Sequence, residues 1–287
     1  MTATIFDGTE CSLGEGPMWH PERQEFFWFD INAHRLYARD GEERRLWQFD
    51  GHVSAAGWID RDRLLVTHER GLLILDLETG NTEPLCPLEA DNPLTRTNDG
   101  RADPWGGFWI GTMAKAMTKG AGAFYRFYRG ELRQLYGNIT VTNAQCFSPD
   151  RRFAYFADTP TGKVMRQPLD ETTGWPKGDP ELFLDLPATD FRPDGAVVDA
   201  EGNFWCAHYG HAKVTCHSPA GELMQTFAIP ARQATCPAFA GANLDRMLIT
   251  SAWQKLTDEQ RAADRNAGKT FEIAPCATGQ AEHRVIL

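Results

Sequence analysis

The sequence has no long apolar run, no cluster of basic residues and no paired cysteines, and each absence excludes a class of protein. No apolar stretch approaches the roughly 20 residues that a membrane-spanning helix needs, and the N-terminus lacks a charged region followed by an apolar core. We therefore expect neither a membrane span nor a signal peptide. The 29 Lys and Arg against 39 Asp and Glu give a net charge of −10 without a basic stripe, so we expect no nucleic-acid partner.

Other signals are missing as well. The seven cysteines are an odd number without paired spacing, and most lie inside apolar stretches, which predicts reduced core thiols and a cytoplasmic protein. The G-x-S-x-G nucleophile elbow is absent, which argues against a serine hydrolase. Helical periodicity is weak except at residues 257–265, where we predict a short polar helix or loop.

What the sequence does contain is a repeat. Short aromatic or β-branched segments, bounded by Gly, Asp or Pro, recur along the chain and carry the signature of β-strands. The segments that follow each predicted turn are residues 26–30, 64–68, 108–112, 153–158, 204–208 and 247–250. The units start near residues 15, 55, 98, 143, 194 and 235, so the intervals are 40, 43, 45, 51 and 41 residues. Units of this length with room for four strands are typical of β-propellers.

We therefore predict an all-β fold, a six-bladed β-propeller of four-stranded antiparallel blades, in one domain spanning residues 1–287. A propeller must close on itself, because its first and last blades would otherwise leave exposed strand edges. Residues 3–6 and 283–287 both resemble strands and lie outside complete units, so we expect them to pair in one blade. The alternative is that both termini are frayed.

Four of the six units share a register. Each places a carboxylate or carboxamide five residues before a residue that opens a turn: Glu15 before His20, Asn98 before Asp103, Asn143 before Ser148, and Asp194 before Asp199. The first strand of a propeller blade lines the central channel, so we expect these side chains to converge at one height. Ala55 and Thr235 occupy the same slot in the remaining two units.

Such a set of side chains predicts a cation site. Two carboxylates brought close together repel each other and lose water, so they require a cation or a proton. Carboxylate and carboxamide oxygens suit calcium, magnesium or manganese, and zinc remains possible. The alternative is that Asn98 and Asp194, each close to a glycine, only form turns.

The motifs around these residues also resemble those of a known family. They are LGEGPMW at 13–19, RTNDG at 96–100, TN at 142–143 followed by FSPD at 147–150, and PDG at 193–195. Together and in this order they are similar to the senescence marker protein, gluconolactonase and regucalcin family over nearly the full chain. One departure is Ala144, which stands where typical members carry Gly.

The resemblance implies a propeller enzyme that uses one divalent metal ion (Ca, Mg, Mn or Zn) to hydrolyse a sugar-acid lactone to the open aldonic acid. By matching motif positions, Glu15, Asn143 and Asp194 would be metal ligands, and Arg96 and Asn98 would contact the substrate. Asp194 would also activate the attacking water. The alternatives are a calcium-binding or regulatory propeller without catalysis, and an esterase that acts on non-sugar lactones. A monomer would suffice, and the oligomeric state stays open.

Several residues near the predicted channel have open roles. Gln145 is either a channel-lining group or a blade-core amide bonded to backbone. His208 and His211 could bind zinc or only belong to a turn, and His208 or Tyr209 could line the mouth. We expect residues 114–120, which include Lys115 and Lys119, and residues 188–192 to form loops over the mouth that determine specificity.

Overall fold

The chain folds into a closed β-propeller in which six four-stranded antiparallel sheets form the blades. The computed structural model describes residues 3–186, 191–274 and 277–287. The predicted fold class is therefore confirmed. The assignment of all 287 residues to one domain stays a prediction.

The blades follow one another along the chain. The chain begins with β1 (Thr4–Asp7). Blade one contains β2 (Gly14–His20), β3 (Glu25–Asp30), β4 (Arg35–Asp40) and β5 (Glu43–Gln48). Blade two contains β6 (Val53–Asp60), β7 (Arg63–His68), β8 (Gly71–Asp76) and β9 (Thr82–Pro87). Blade three contains β10 (Thr95–Ala102), β11 (Phe108–Ala114), β12 (Gly122–Tyr128) and β13 (Glu131–Ile139).

The second half repeats this order. Blade four contains β14 (Thr142–Phe147), β15 (Phe153–Asp158), β16 (Lys163–Pro168) and β17 (Glu181–Asp185). Blade five contains β18 (Pro193–Val198), β19 (Phe204–His208), β20 (Lys213–His217) and β21 (Leu223–Ala228). Blade six contains β22 (Gln233–Ala240), β23 (Arg246–Ala252) and β24 (Thr270–Ile273), and β1 completes it.

The burial of each strand follows its distance from the axis. The inner strands β14 and β22 are buried along their whole length, whereas the outermost strands β5 and β21 are mostly exposed. A strand packed between two neighbouring blades has no solvent face, so it can carry a continuous apolar run rather than an alternating one, as residues 26–29 of β3 do. The apolar core therefore lies between adjacent blades, as where Phe27 and Phe29 of blade one pack with Leu64 of blade two.

The ring closes through the N-terminal strand, but not with the predicted partner. β1 pairs antiparallel with β24, with Thr4 opposite Glu272 and Ile5 opposite Phe271. The expected pairing of residues 3–6 with 283–287 is wrong, because Thr270–Ile273 already supplies the third strand of blade six and offers its free edge to β1.

The C-terminal segment instead crosses one end of the central channel. The Val285 amide donates to the Trp58 carbonyl at 2.8 Å, and the Gln280 side chain donates to the carbonyls of Phe147 and Val198 at 3.1 and 2.9 Å. These acceptors lie at or near the ends of inner strands of blades two, four and five. The segment therefore joins blades that are far apart in sequence and covers the end of the channel where the inner strands finish.

Two smaller predictions are confirmed, the polar helix near residues 257–265 and the reduced cysteines. The polar stretch near the C-terminus forms α1 (Asp258–Ala263) between β23 and β24, capped by Thr257 and Gln260 in a reciprocal capping box. One short 3₁₀ helix spans Thr159–Thr161. The six cysteines in the described part of the chain are free thiols, and Cys276 lies outside it. No helix within the described ranges is long and apolar enough to cross a membrane.

An ion pair anchors the C-terminal segment and gives a test of its importance. Glu282 pairs with Arg101 of blade three, and their side chains are only 12% and 13% exposed. We expect Glu282→Gln to lower the free energy of unfolding by about 2 kcal/mol, because it leaves a buried guanidinium without its main partner. Urea denaturation measures this change.

The matched control is Glu131→Gln, which removes the carboxylate from a pair with Arg133 that is about half exposed on each side. Exposed pairs contribute less than about 1 kcal/mol, so this variant should remain close to the parent protein. Equal effects of the two substitutions would show that the segment is not held by its charge.

Candidate active site

Every inner strand carries a β-bulge near its beginning, and the bulges aim the candidate side chains. The pairing shifts after Glu15, Thr97, Asn143 and Pro193 in blades one, three, four and five. Bulges turn side chains out of the regular pleat and often stand beside functional sites. In this fold they lie where the inner strands meet the channel.

The sequence placed Glu15, Asn98, Asn143 and Asp194 at equivalent positions of their strands. In the structure, blades one and four differ from blades three and five by one residue. Glu15 and Asn143 are the last paired residues before their bulges, and Asn98 and Asp194 are the first residues inside theirs. In blades one and four the residue after the candidate side chain has a positive φ angle, 53° after Glu15 and 64° after Asn143. The second of these is Ala144, which explains why glycine suits this position.

All five predicted site residues line one cavity of about 510 Å³ at the channel end where the inner strands begin. They are Glu15, Arg96, Asn98, Asn143 and Asp194. All five are at least 90% buried by residue surface. A cavity of this volume is in the range of small-molecule sites. Their roles in metal and substrate binding stay predictions at this point.

A hydrogen-bonded chain connects the polar members across blades three to five. Arg96 Nη1 donates to Asn98 Oδ1 at 2.8 Å, and Asn98 Nδ2 donates to Asn143 Oδ1 at 3.1 Å. Asn143 Nδ2 donates to Thr159 Oγ1 at 2.7 Å, and that hydroxyl donates to the Pro193 carbonyl at 2.7 Å, next to Asp194. The chain fixes the two carboxamides in one orientation, with the Asn143 oxygen able to accept a further interaction.

Thr159 is a site residue that the sequence analysis missed. It begins the 3₁₀ helix that follows β15, lines the cavity and orients the Asn143 side chain. The only available signal was the Asp-Thr-Pro sequence at 158–160, which marks a turn but no function.

Burial disfavours the charged forms of the two cavity carboxylates, Glu15 and Asp194. Burial raises the pKa of Glu15 to about 8, and the nearby charge of Asp99 adds to this shift. Burial also raises the pKa of Asp194 well above its ordinary value, and the charges of Glu15 and Asp99 act in the same direction. Burial lowers the pKa of Arg96 to about 10, although the two cavity carboxylates oppose that change. One buried arginine therefore does not compensate the acidic groups.

Asp99 and Gln145 lie next to this cavity rather than in its lining. The Asp99 carboxylate accepts hydrogen bonds from the Gly100 and Gln145 amides at 2.9 and 3.2 Å. Gln145 Nε2 donates to the Asp99 carbonyl at 3.0 Å. Of the two alternatives for Gln145, this geometry supports an amide bonded to backbone.

Tyr209, and not His208, lines the mouth of the cavity. His208 is buried with Nε2 at 2.7 Å from Thr215 Oγ1, and its ring packs edge-on against Phe191. Burial lowers the pKa of His208 to about 3, so the ring is neutral. This geometry gives no support to a zinc site at His208 and His211.

The predicted loops contribute in part. Lys115 lines the cavity, with Nζ at 3.0 Å from Glu69 Oε2, whereas Lys119 does not line it. Arg192 also lines it, and residues 188–190 of the second predicted loop lie outside the described part of the chain. The loop that follows β23 was not predicted, and it supplies Gln254 and Lys255.

The donor set fits a hard divalent cation. Burial raises the pKa values of both carboxylates, and the charge of Asp99 adds to both shifts, so the pair gains from a cation placed between them. Within residues 3–186, 191–274 and 277–287 no three His, Cys, Asp or Glu side chains converge into a metal cluster. Glu15, Asp194 and the carboxamide oxygen of Asn143 are thus the donors that this cavity offers, and oxygen donors suit calcium, magnesium or manganese.

Comparison with known proteins identifies the family. Residues 13–253 match the family described as SMP-30/Gluconolactonase/LRE-like region. The chain belongs to this family. A putative sugar lactone lactonase from Rhizobium meliloti is 42% identical over 94% of this chain and 92% of its own length. A 6-deoxy-6-sulfogluconolactonase from Pseudomonas putida is 34% identical over 94% of each chain.

A solved structure agrees with this assignment. The crystal structure of a calcium-binding protein, regucalcin, from Agrobacterium tumefaciens superposes with a TM-score of 0.97 at 35% identity, covering 99% of this chain and 97% of that one. The family resemblance from the motifs is confirmed. So is the enzyme class, because the lactonases that this chain matches over nearly its full length are carboxylic ester hydrolases.

The bulge at Glu15 gives a second test. A Cβ atom on Gly16 would lie 2.2 Å from the Ser54 carbonyl oxygen, and the residue has φ +53°. We expect Gly16→Ala to displace Glu15, to lower the free energy of unfolding by about 1–3 kcal/mol beyond the cost of the backbone conformation, and to weaken divalent-metal binding.

Gly41→Ala is the control, since Gly41 has φ +55° but nothing within 4 Å of the added Cβ. It should show only the backbone cost of about 1 kcal/mol. Urea denaturation and metal titration of both variants make the comparison, and equal metal affinities would contradict a positioning role for the bulge.

The raised pKa of Glu15 predicts a pH dependence. The carboxyl titrates near its ordinary 4.5 when unfolded and near 8 when folded, so the folded protein holds the extra proton between these values. The resulting stabilisation is complete below about pH 4.5 and is lost as the pH rises through about 8. A cation replaces the proton, so we expect added Ca²⁺ or Mn²⁺ to raise the Tm more at pH 8.5 than at pH 5.5. A larger gain at pH 5.5 would refute this assignment.

Proposed function

We propose that the protein hydrolyses a sugar-acid lactone, an aldonolactone such as a gluconolactone or a pentonolactone, to the open aldonic acid. The single observation that supports this most is the cavity itself. It combines two buried carboxylates with a hydrogen-bonded chain that starts at Arg96 and passes through Asn98 and Asn143. A site for a cation alone requires no such neighbouring arginine, whereas a polyhydroxylated substrate requires fixed donors and acceptors.

In this proposal Glu15, Asn143 and Asp194 hold one divalent metal ion, which is Ca, Mg, Mn or Zn. When bound, the ion would supply Lewis-acid polarisation of the lactone carbonyl. Arg96 and Asn98 bind hydroxyl groups of the sugar. Arg96 is well placed for this, because Nη1 is already bonded to Asn98 and the Thr97 carbonyl, which fixes the guanidinium plane.

Asp194 acts as the general base. Its carboxylate accepts a proton from the water that attacks the carbonyl carbon, and the ester bond to the ring oxygen breaks. The proton then passes to the leaving ring oxygen, so one water molecule and one lactone give one hydroxy acid. Burial favours this role, because a buried carboxylate with a raised pKa is a stronger base than one in water.

A calcium-binding propeller without catalysis is the second candidate, and the close superposition on the calcium-binding protein from Agrobacterium favours it. An esterase acting on non-sugar lactones is the third. We also propose a cytoplasmic location, which the free thiols of the described cysteines support.

We expect purified protein with added Mn²⁺ or Ca²⁺ to release acid from δ-gluconolactone, measured with a pH dye against spontaneous hydrolysis. Asp194→Ala should lower kcat by at least about 10²-fold, because it removes the general base, and should weaken metal binding in calorimetry. Asp185→Ala, which removes an exposed carboxylate on β17, is the control and should behave as the parent protein.

The three candidates give different results. Metal binding without acid release from any five- or six-carbon aldonolactone would favour the calcium-binding candidate. Acid release from apolar lactones alone would favour the esterase. Full activity of Asp194→Ala would show that another group activates the water.

A further inference from the structure

The cavity has a charge opposite to that of the protein. The chain carries a net charge of −10, yet four cationic side chains line the cavity against two carboxylates, Glu15 and Asp194. The four cations are Arg96, Lys115, Arg192 and Lys255. A divalent ion held by the carboxylates would make the cavity more positive still. A cationic cleft on an acidic protein attracts and selects anionic ligands.

Two of the four cations are already compensated. The Lys115 ammonium is 3.0 Å from Glu69 Oε2, and the same carboxylate contacts His52. Arg96 lies at the base of the cavity beside the two carboxylates, whose charges raise its pKa against the effect of burial. The remaining two, Arg192 and Lys255, are exposed at the rim.

Lys255 reaches across the mouth. It follows β23 in blade six, and its Nζ lies 2.8 Å from Sδ of Met117, which follows β11 in blade three. Blades pack in chain order around the ring, so blades three and six stand opposite each other. A thioether is a weak acceptor. Among the residues that the structure describes, no carboxylate pairs with this ammonium.

Arg192 stands on the same side of the rim. It precedes β18 in blade five, and its carbonyl accepts a hydrogen bond from the Tyr209 amide at 3.2 Å. The Tyr209 hydroxyl in turn accepts one from Gln254 Nε2 at 3.4 Å, directly before Lys255. Tyr209 therefore connects the two rim cations, and both face a cavity whose base holds the candidate reacting groups.

We propose that the substrate is a sugar lactone with a second, negatively charged group at the end remote from its carbonyl, and that Lys255 and Arg192 bind that group. The inference rests on the proposed lactonase function. The carboxylate formed in the reaction does not account for the rim cations, because it arises at the base of the cavity beside Glu15 and Asp194. A carboxylate, a sulfonate or a phosphate would each satisfy the rim.

The test compares two lactones that differ at one carbon. δ-Gluconolactone ends in a hydroxymethyl group, and the corresponding lactone of the six-carbon diacid ends in a carboxylate. We expect kcat/KM of the metal-loaded protein to be higher for the acidic lactone, and the preference to decrease as ionic strength rises. Lactones with a terminal phosphate or sulfonate, measured in the same way, identify the preferred anion.

Variants assign the preference to the rim. Lys255→Met should lower the ratio of acidic to neutral kcat/KM by about tenfold, which corresponds to about 1.4 kcal/mol. Lys255→Arg keeps the charge and should retain most of the preference. The matched control is Lys163→Met, which removes a lysine near Asp185 in blade four, away from the cavity, and should leave the ratio unchanged.

The outcomes separate this inference from the proposed function. Hydrolysis of the neutral lactone without preference for the acidic ones would overturn the inference and leave the lactonase function intact. An equal loss for both lactones in Lys255→Met would also overturn it. Hydrolysis of neither lactone would refute both. As a readout independent of turnover, the open diacid should bind the metal-loaded protein more tightly than gluconate in calorimetry, and Lys255→Met should abolish that difference.

Discussion

The burial of two carboxylates at the axis of the propeller is the constraint on which the rest of the site depends. Glu15 and Asp194 come from different blades, and burial raises the pKa of both, with the charge of Asp99 acting in the same direction on each. Left alone they would favour protons over ionised forms. Arg96 and the ordered carboxamide of Asn143 lie beside these two carboxylates. A divalent cation bound by the same donors would neutralise their charge. Such a pair of buried carboxylates stays ionised only if a bound cation replaces the interactions with water that burial removes.

Buried charged side chains also lie towards the other end of the channel, where an arginine balances carboxylates. Asp99 lies below the cavity carboxylates and is partly balanced by the buried Arg101, which pairs with Glu282 of the C-terminal segment. Charged side chains of both signs therefore lie along the channel from Arg96 to Glu282. The C-terminal segment thus joins blades mechanically and also supplies the last charge of the series.

The sequence predicts the features that repeat and misses those that do not. The period of 40–51 residues predicts six blades, and the motifs around Glu15, Asn98, Asn143 and Asp194 predict which side chains share a cavity. The one-residue offset between blades was missed, because the pattern of residues does not show where in a strand the β-bulge lies. The strand that closes the ring was misassigned because 270–273 and 283–287 both contain apolar residues, and the sequence does not show which of them lies beside β1. Thr159 and Lys255 belong to irregular loops, where no periodicity marks a residue's direction.

This division between repeat and loop has a functional consequence. The inner strands are almost wholly buried, and each pairs with the second strand of its own blade and packs against the inner strands of neighbouring blades, so the geometry of Glu15, Asn143 and Asp194 cannot change without disturbing several blades. The rim is built from connections between strands, which tolerate substitution because few contacts depend on them. Relatives of one family can therefore differ in the lactone they act on: the Rhizobium protein is named for sugar lactones in general, and the Pseudomonas protein for 6-deoxy-6-sulfogluconolactone. In this chain Lys255 and Arg192 lie at the rim of the cavity, and the carboxylates Glu15 and Asp194 lie at its bottom. A substrate with an anionic group at one end would place that group beside the rim cations and its lactone ring beside the groups at the base of the cavity. A neutral aldonolactone would leave the rim cations without a partner.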